Sequence, residues 1–166
     1  MTTLLLAAPT LVHEARPKSL DDSLRVVHAR RLRELREALE PAQGPEAGVW
    51  SRWSAVRLLD HLLSAWFEPE RKLIEEEYHM LESGHAARLW TAAELVTALH
   101  WQIAHSVGLC HHPAEFCRIT LKLETVLEHW CDEVEDAVGS VDWQDLSGEE
   151  HQALVSAVEE EPTYVT

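Results

Sequence analysis

Apolar residues recur every three or four positions along most of this chain. No run alternates apolar and polar residues at the period of two that a half-buried strand requires. The glycines at 44, 48, 84, 108, 139 and 148 fall between the periodic segments or at their edges, and of the prolines only Pro69 interrupts one. The first helix is expected to start at Ser19, where SLDD offers an N-cap with an acidic third position. It shows a stripe of Leu24, Val27, Leu35 and Leu39 with Leu32 beside it, and it should end at Pro41. After the linker PAQGPEAG a second helix begins near Ser51, is kinked or restarted by Pro69, and continues to Gly84. A third is predicted from a capping box in TAAE, residues 91–94, to Val107. The fourth follows Pro113 with the cleanest stripe (Phe116, Ile119, Leu123, Val126/Leu127, Trp130, Val134, Val138) and closes at Gly139. A short fifth is capped by SGEE, residues 147–150, and carries Leu154, Val155 and Val158.

This pattern predicts an all-α protein: an antiparallel bundle of four main helices, a short C-terminal helix and an N-terminal arm. Residues 1–18 form the apolar arm, 19–160 a single bundle domain and 161–166 a frayed tail. The arm, containing TTLLLAAPTLV, can dock on its own domain or on a second copy, so a homo-oligomer formed through it is one expectation.

Composition changes the picture in two ways. No segment reaches the ~20 apolar residues of a membrane helix, the opening residues lack the basic start of a secretory leader, and three cysteines do not make a disulfide framework. A cytoplasmic protein without membrane contact is expected. The 14 basic and 29 acidic residues give a net charge of −15, and the imbalance is concentrated late in the chain. Residues 1–72 hold 11 Lys/Arg and 10 Asp/Glu, whereas residues 73–166 hold 3 and 19. Such a half-chain repels phosphate backbones, which argues against direct nucleic-acid binding, and attracts basic surfaces.

Two stretches hold candidate metal ligands. In VGLCHHPAEFC, residues 107–117, Cys110, His112 and Cys117 together with His105 could make four zinc ligands. The spacing lacks the CxxC knuckle of zinc sites, so a turn between two helices is the simpler reading. The segment WSAVRLLDHLLSAW, residues 53–66, resembles the part of DinB-like bundles where a histidine follows a Trp-led helix start. That resemblance, with the related hemerythrin-like bundles, implies iron or zinc held by inward histidines. The chain departs from the pattern: His100 and His105 are five apart, His129 and Glu133 are four apart, and EEYH at 76–79 is a single Glu-x-x-His. By helical phase His61, His129 and Glu133 fall off the apolar stripes, and only His28, four residues from both Leu24 and Leu32, is expected to reach the interior. Phosphate-binding glycine loops and nucleophile elbows are absent from the sequence, so a non-enzymatic role is favoured.

Seven tryptophans remain. Trp50 and Trp90 are expected to staple helix ends to the bundle, Trp130 to lie in the core, and Trp143 to serve equally well as an exposed anchor. The stretch HWCDEVEDAVGSVDWQDL, residues 129–146, sets Asp132, Glu133, Glu135, Asp136, Asp142 and Asp145 around Trp143. Carboxylates along a rigid helix, with a ring to stack on guanidinium, suit an arginine-rich partner. The functional expectation is therefore an acidic helical binding module, an inhibitor, immunity-type protein or adaptor, for a basic protein that handles nucleic acid. A metalloprotein bundle holding iron or zinc is the alternative, and a self-associating assembly component is a second.

Overall fold

The stripe of the first segment winds into α1, Leu20–Gln43, in a computed structural model that describes residues 20–76, 81, 83–106, 108–141, 149 and 156. Four further helices follow: α2 at Val49–Ala65, α3 at Phe67–Glu76, α4 at Ser83–His105 and α5 at Pro113–Ser140. Among the described residues there is no strand, and the fold is all-α. The N-terminal arm, Ser19, most of the expected fifth helix and the tail lie outside the described residues.

α5 packs against both α1 and α4, and α1 also against α2. The direction of α5 follows from its side-chain links to α1. His28 meets Glu135, Arg36 meets Glu128, and Gln43 meets Thr120 and Glu124, so the two helices run antiparallel. The stripes predicted for α1 and α5 meet residues of α2 and α4 in one core: Leu35 and Leu39 of α1, Leu59 and Leu63 of α2, Leu89 and Val96 of α4, and Phe116, Leu123, Leu127 and Trp130 of α5 are all buried.

Helix ends depart from the sequence reading in instructive places. Pro41 lies within the last turn of α1 and does not end the helix there. Pro69 does break its segment. The chain kinks at Trp66, with φ −116° and ψ −68°, and α3 starts at Phe67, which places the proline in the first turn of α3, where a missing N–H costs least. α3 ends at Glu76 and Gly84 belongs to α4, so the second helix does not run to that glycine. The TAAE box is not a helix start: α4 begins at Ser83, and Thr91 Oγ1 donates to the carbonyl of Ala87 at 2.9 Å inside it. An S/T-x-x-E pattern marks a cap only where the preceding chain is not already helical. Gly139 is likewise passed by one residue, with Ser140 closing α5.

The stretch from Gly108 to His112 is indeed a turn, a 3-10 helix at Leu109–His111. Pro113 then occupies the first position of α5, where its fixed φ suits helix entry. Arg52, buried in α2, donates from its guanidinium to the carbonyls of Cys110 and Ala47. One cation thereby ties this turn to the α1–α2 loop.

Candidate functional site

His28 lies two turns into α1, where Leu24, Val27 and Leu35 already direct that face inward, and it is 1% exposed. Its Nδ1 is 2.8 Å from Glu135 Oε1 on α5, and its Nε2 is 3.0 Å from Glu70 Oε2 on α3. Ionised carboxylates only accept hydrogen bonds, so a ring with one at each nitrogen must donate twice, which only the imidazolium can do. Glu70 is satisfied at its other oxygen by the indole N–H of Trp130 at 2.6 Å, and Arg31 stands 3.6 Å from its Oε2. Arg25 is 3.6 Å from Glu135. The break at Trp66 sets the direction of α3, which starts at Phe67 and carries Glu70 in its first turn.

Burial opposes a charged ring, but the Cys131 sulfur and the Glu70 carboxylate beside it prevail, and the pKa of His28 is raised to about 11. Burial pushes the Cys131 thiol up, against the opposing pull of His28. At neutral pH the site is therefore a buried imidazolium crossing from α1 to α3 and α5, flanked by a thiol. The charge of the ring lies between the two carboxylates.

The direction of the pH effect follows. The native state holds the His28 proton up to about pH 11, whereas the unfolded chain releases it near 6.5. The contribution of His28 to stability is thus full below the unfolded value and is lost as pH rises through the folded one. Between pH 7 and 10 the slope from this one proton is up to about 1.4 kcal/mol per pH unit. Urea midpoints measured at pH 7, 8.5 and 10 should fall more steeply for the natural chain than for His28→Asn, and parallel slopes would remove the charge from this account.

A second buried carboxylate joins α4 to α5. Glu133 is buried and receives Arg88 Nε at 2.7 and 2.8 Å, with His85 and His129 at 3.8 and 3.9 Å. The helical phase that put Glu133 on the open surface is thus corrected, since α4 covers that flank of α5. Glu135 is half-buried in the His28 centre. Asp132 and Asp136, in contrast, are exposed one turn apart. Asp142, Trp143 and Asp145 lie outside the described residues. Sequence reasoning found His28 and missed both its partners. Glu70 carried one usable signal, its place directly after a helix-restarting proline.

The candidate zinc set is not assembled. His105 is exposed with Nδ1 3.0 Å from its own helix carbonyl at Trp101, Cys110 is buried in the turn, His112 is exposed, and Cys117 is half-buried on α5. Among the described residues no group of three or more His, Cys, Asp or Glu side chains is arranged to hold a metal ion. His61, in the DinB-like segment, is exposed. Trp50 and Trp90 do not staple helix ends, being 84% and 52% exposed, whereas Trp130 is in the core as expected. Among the described residues no helix is long and apolar enough to cross a membrane.

No family model matches the chain, and neither a curated protein nor a solved structure matches it.

Proposed function

We propose that this chain is an acidic helical binding protein whose exposed α5 carboxylates, together with Asp142, Trp143 and Asp145 further along the sequence, engage a basic protein partner. The observation that carries this reading is a division of labour among the α5 carboxylates. Glu133 and Glu135 are used internally by Arg88 and His28. Asp132 and Asp136 project to solvent, and Asp136 lies one turn before the end of a helix whose last turn holds no basic residue. An exposed acidic group close to a helix C-terminus is unfavourable by roughly 0.3–1 kcal/mol, which bears on Asp136 and not on Asp132. The reading makes an incoming guanidinium their counterion, and it assigns to Trp143, a residue type that stacks on guanidinium, a part in the same contact. A partner that itself handles nucleic acid fits a surface of this sign, as does an inhibitory, immunity-type or adaptor role. The free thiols of Cys110, Cys117 and Cys131 suit a reducing, cytoplasmic setting.

The test uses an arginine-rich peptide as probe at low and high salt. Binding at low ionic strength should weaken about tenfold in Asp132→Asn/Asp136→Asn, and should fade at about 0.5 M salt as the Debye length shrinks. Equal binding by the double variant, or binding indifferent to salt, removes α5 from the role.

A further inference from the structure

Arg52 carries a charge that the fold buries without a counterion. The residue is 2% exposed. Its Nη1 donates to the carbonyl of Cys110 at 2.9 Å and its Nη2 to that of Ala47, while Nε, also buried, has no acceptor. Among the described residues no carboxylate pairs with this guanidinium, whereas the buried His28 and Glu133 each face opposite charge. Cys110 does not supply the missing charge, since burial pushes its thiol up against the pull of Arg52. Arginine is almost never fully buried unless paired, because two carbonyl dipoles replace only part of the water that a cation gives up.

The guanidinium stands behind the open end of a helix. Arg52 is the fourth residue of α2, and its side chain follows the tilt of the Cα–Cβ bond toward the helix start, reaching the Ala47 carbonyl just before the N-cap. Gly48 is that cap, with no side chain to accept from the first turn, and the turn holds no acidic residue. The Gly48 carbonyl accepts from the N–H of Arg52, and the N–H groups of Val49, Trp50 and Ser51 before it have no acceptor among the described residues. The approach to them is open. A Cβ on Gly48 would meet nothing within 4 Å, and Trp50 is 84% exposed. Three oriented donors, the positive end of a helix dipole and a buried cation behind it all favour negative charge at one place.

We infer that the first turn of α2 is a binding site for a phosphate-type oxyanion, which accepts from the N–H groups of Val49, Trp50 and Ser51 and supplies the counterion that Arg52 lacks. The site lies in the half of the chain where charge nearly balances, 11 Lys/Arg against 10 Asp/Glu over residues 1–72, and not in the acidic half that repels phosphate. Glu46, two residues before the cap, is exposed and works against the anion. Binding is accordingly weak, with a Kd of about 1 mM. Trp50, carried on the same turn, gives a phosphate borne on an aromatic base a further surface to stack on. Free phosphate and the phosphoryl group of a nucleotide share this chemistry. The site is separate from the α5 carboxylates and does not depend on the partner proposed for them.

Thermal unfolding of the full chain in phosphate, against chloride at equal ionic strength, tests the inference. At about 100 mM, phosphate should raise the Tm of the natural chain by about 5 °C more than chloride does. Gly48→Asp puts a carboxylate on the cap, at φ −74° and ψ 163°, a conformation that any residue adopts. It should raise Tm without phosphate and lose most of the phosphate response. Arg52→Met keeps an apolar stem and removes the charge, so it should need at least ten times the phosphate for the same rise, whatever its own Tm. Should Arg52→Met not fold, Gly48→Asp decides alone. Adenosine monophosphate that binds more tightly than phosphate, with the excess removed in Trp50→Ala, identifies a nucleotide as the ligand, and equal binding identifies free phosphate. A rise no larger in phosphate than in chloride overturns the inference. So does a rise that either variant keeps in full, which is the general effect of phosphate on any folded surface.

Discussion

Replacing His28 with alanine should destabilise the fold by about 3 kcal/mol, read as a lower urea midpoint at pH 7. Removing one member of a buried ionic group costs roughly 3–5 kcal/mol, chiefly because its partners keep their charge without compensation. The lower end applies here, since Glu70 and Glu135 retain some contact with water and with Arg31 and Arg25. A matching apolar replacement of the whole group, His28→Leu with Glu70→Met and Glu135→Met, should recover most of the loss, as desolvation of three charges disappears with them. If His28→Ala is as stable as the natural chain, the buried imidazolium contributes nothing. If the triple variant is worse than the single, the ion group stabilises the fold outright.

Trp130→Ala should have the largest effect of any single substitution described, a loss of about 4–5 kcal/mol, against the 5–15 kcal/mol of total stability typical of a domain. The ring is fully enclosed, meets Phe67 edge-to-face at 5.3 Å, and holds Glu70 by its N–H. Trp130→Phe separates the two parts. It keeps most of the apolar volume and leaves Glu70 without that donor, so a loss of about 1–3 kcal/mol is expected from the hydrogen bond to a charged acceptor. Thermal or chemical unfolding of the pair resolves them, and equal losses in both variants would show that the indole N–H rather than the ring volume dominates.

The periodicity of Phe116, Ile119, Leu123, Leu127 and Trp130 was enough to place α5 and its buried face, because a continuous stripe on a helix admits one inward side. The same logic brought His28 to the interior by its distance of four from Leu24 and Leu32. Polar positions were less legible. Glu133 and Asp132 are neighbours in sequence with similar chemistry, yet one is buried against Arg88 and the other is exposed. Which flank of α5 becomes covered depends on where α4 lies, a tertiary fact that no window of α5 contains. The TAAE segment failed for a related reason. The local cap signal in Thr91 and Glu94 is real in isolation, and the helix already running from Ser83 overrode it. Glu70 and Glu135, 65 positions apart by numbering, share one ring only after three helices have met.

That meeting has an order in time. His28 and Glu135 are 107 residues apart in the chain. At synthesis rates of about 5–20 residues per second, some 5–20 s pass between the making of the histidine and of its α5 carboxylate. Meanwhile the emerging α1–α2 hairpin displays Leu35, Leu39, Leu59 and Leu63 with neither α4 nor α5 to cover them. A growing chain of this design spends nearly the whole of its translation as an open apolar surface, which makes it a natural client for a chaperone at the ribosome exit until its last long helix arrives.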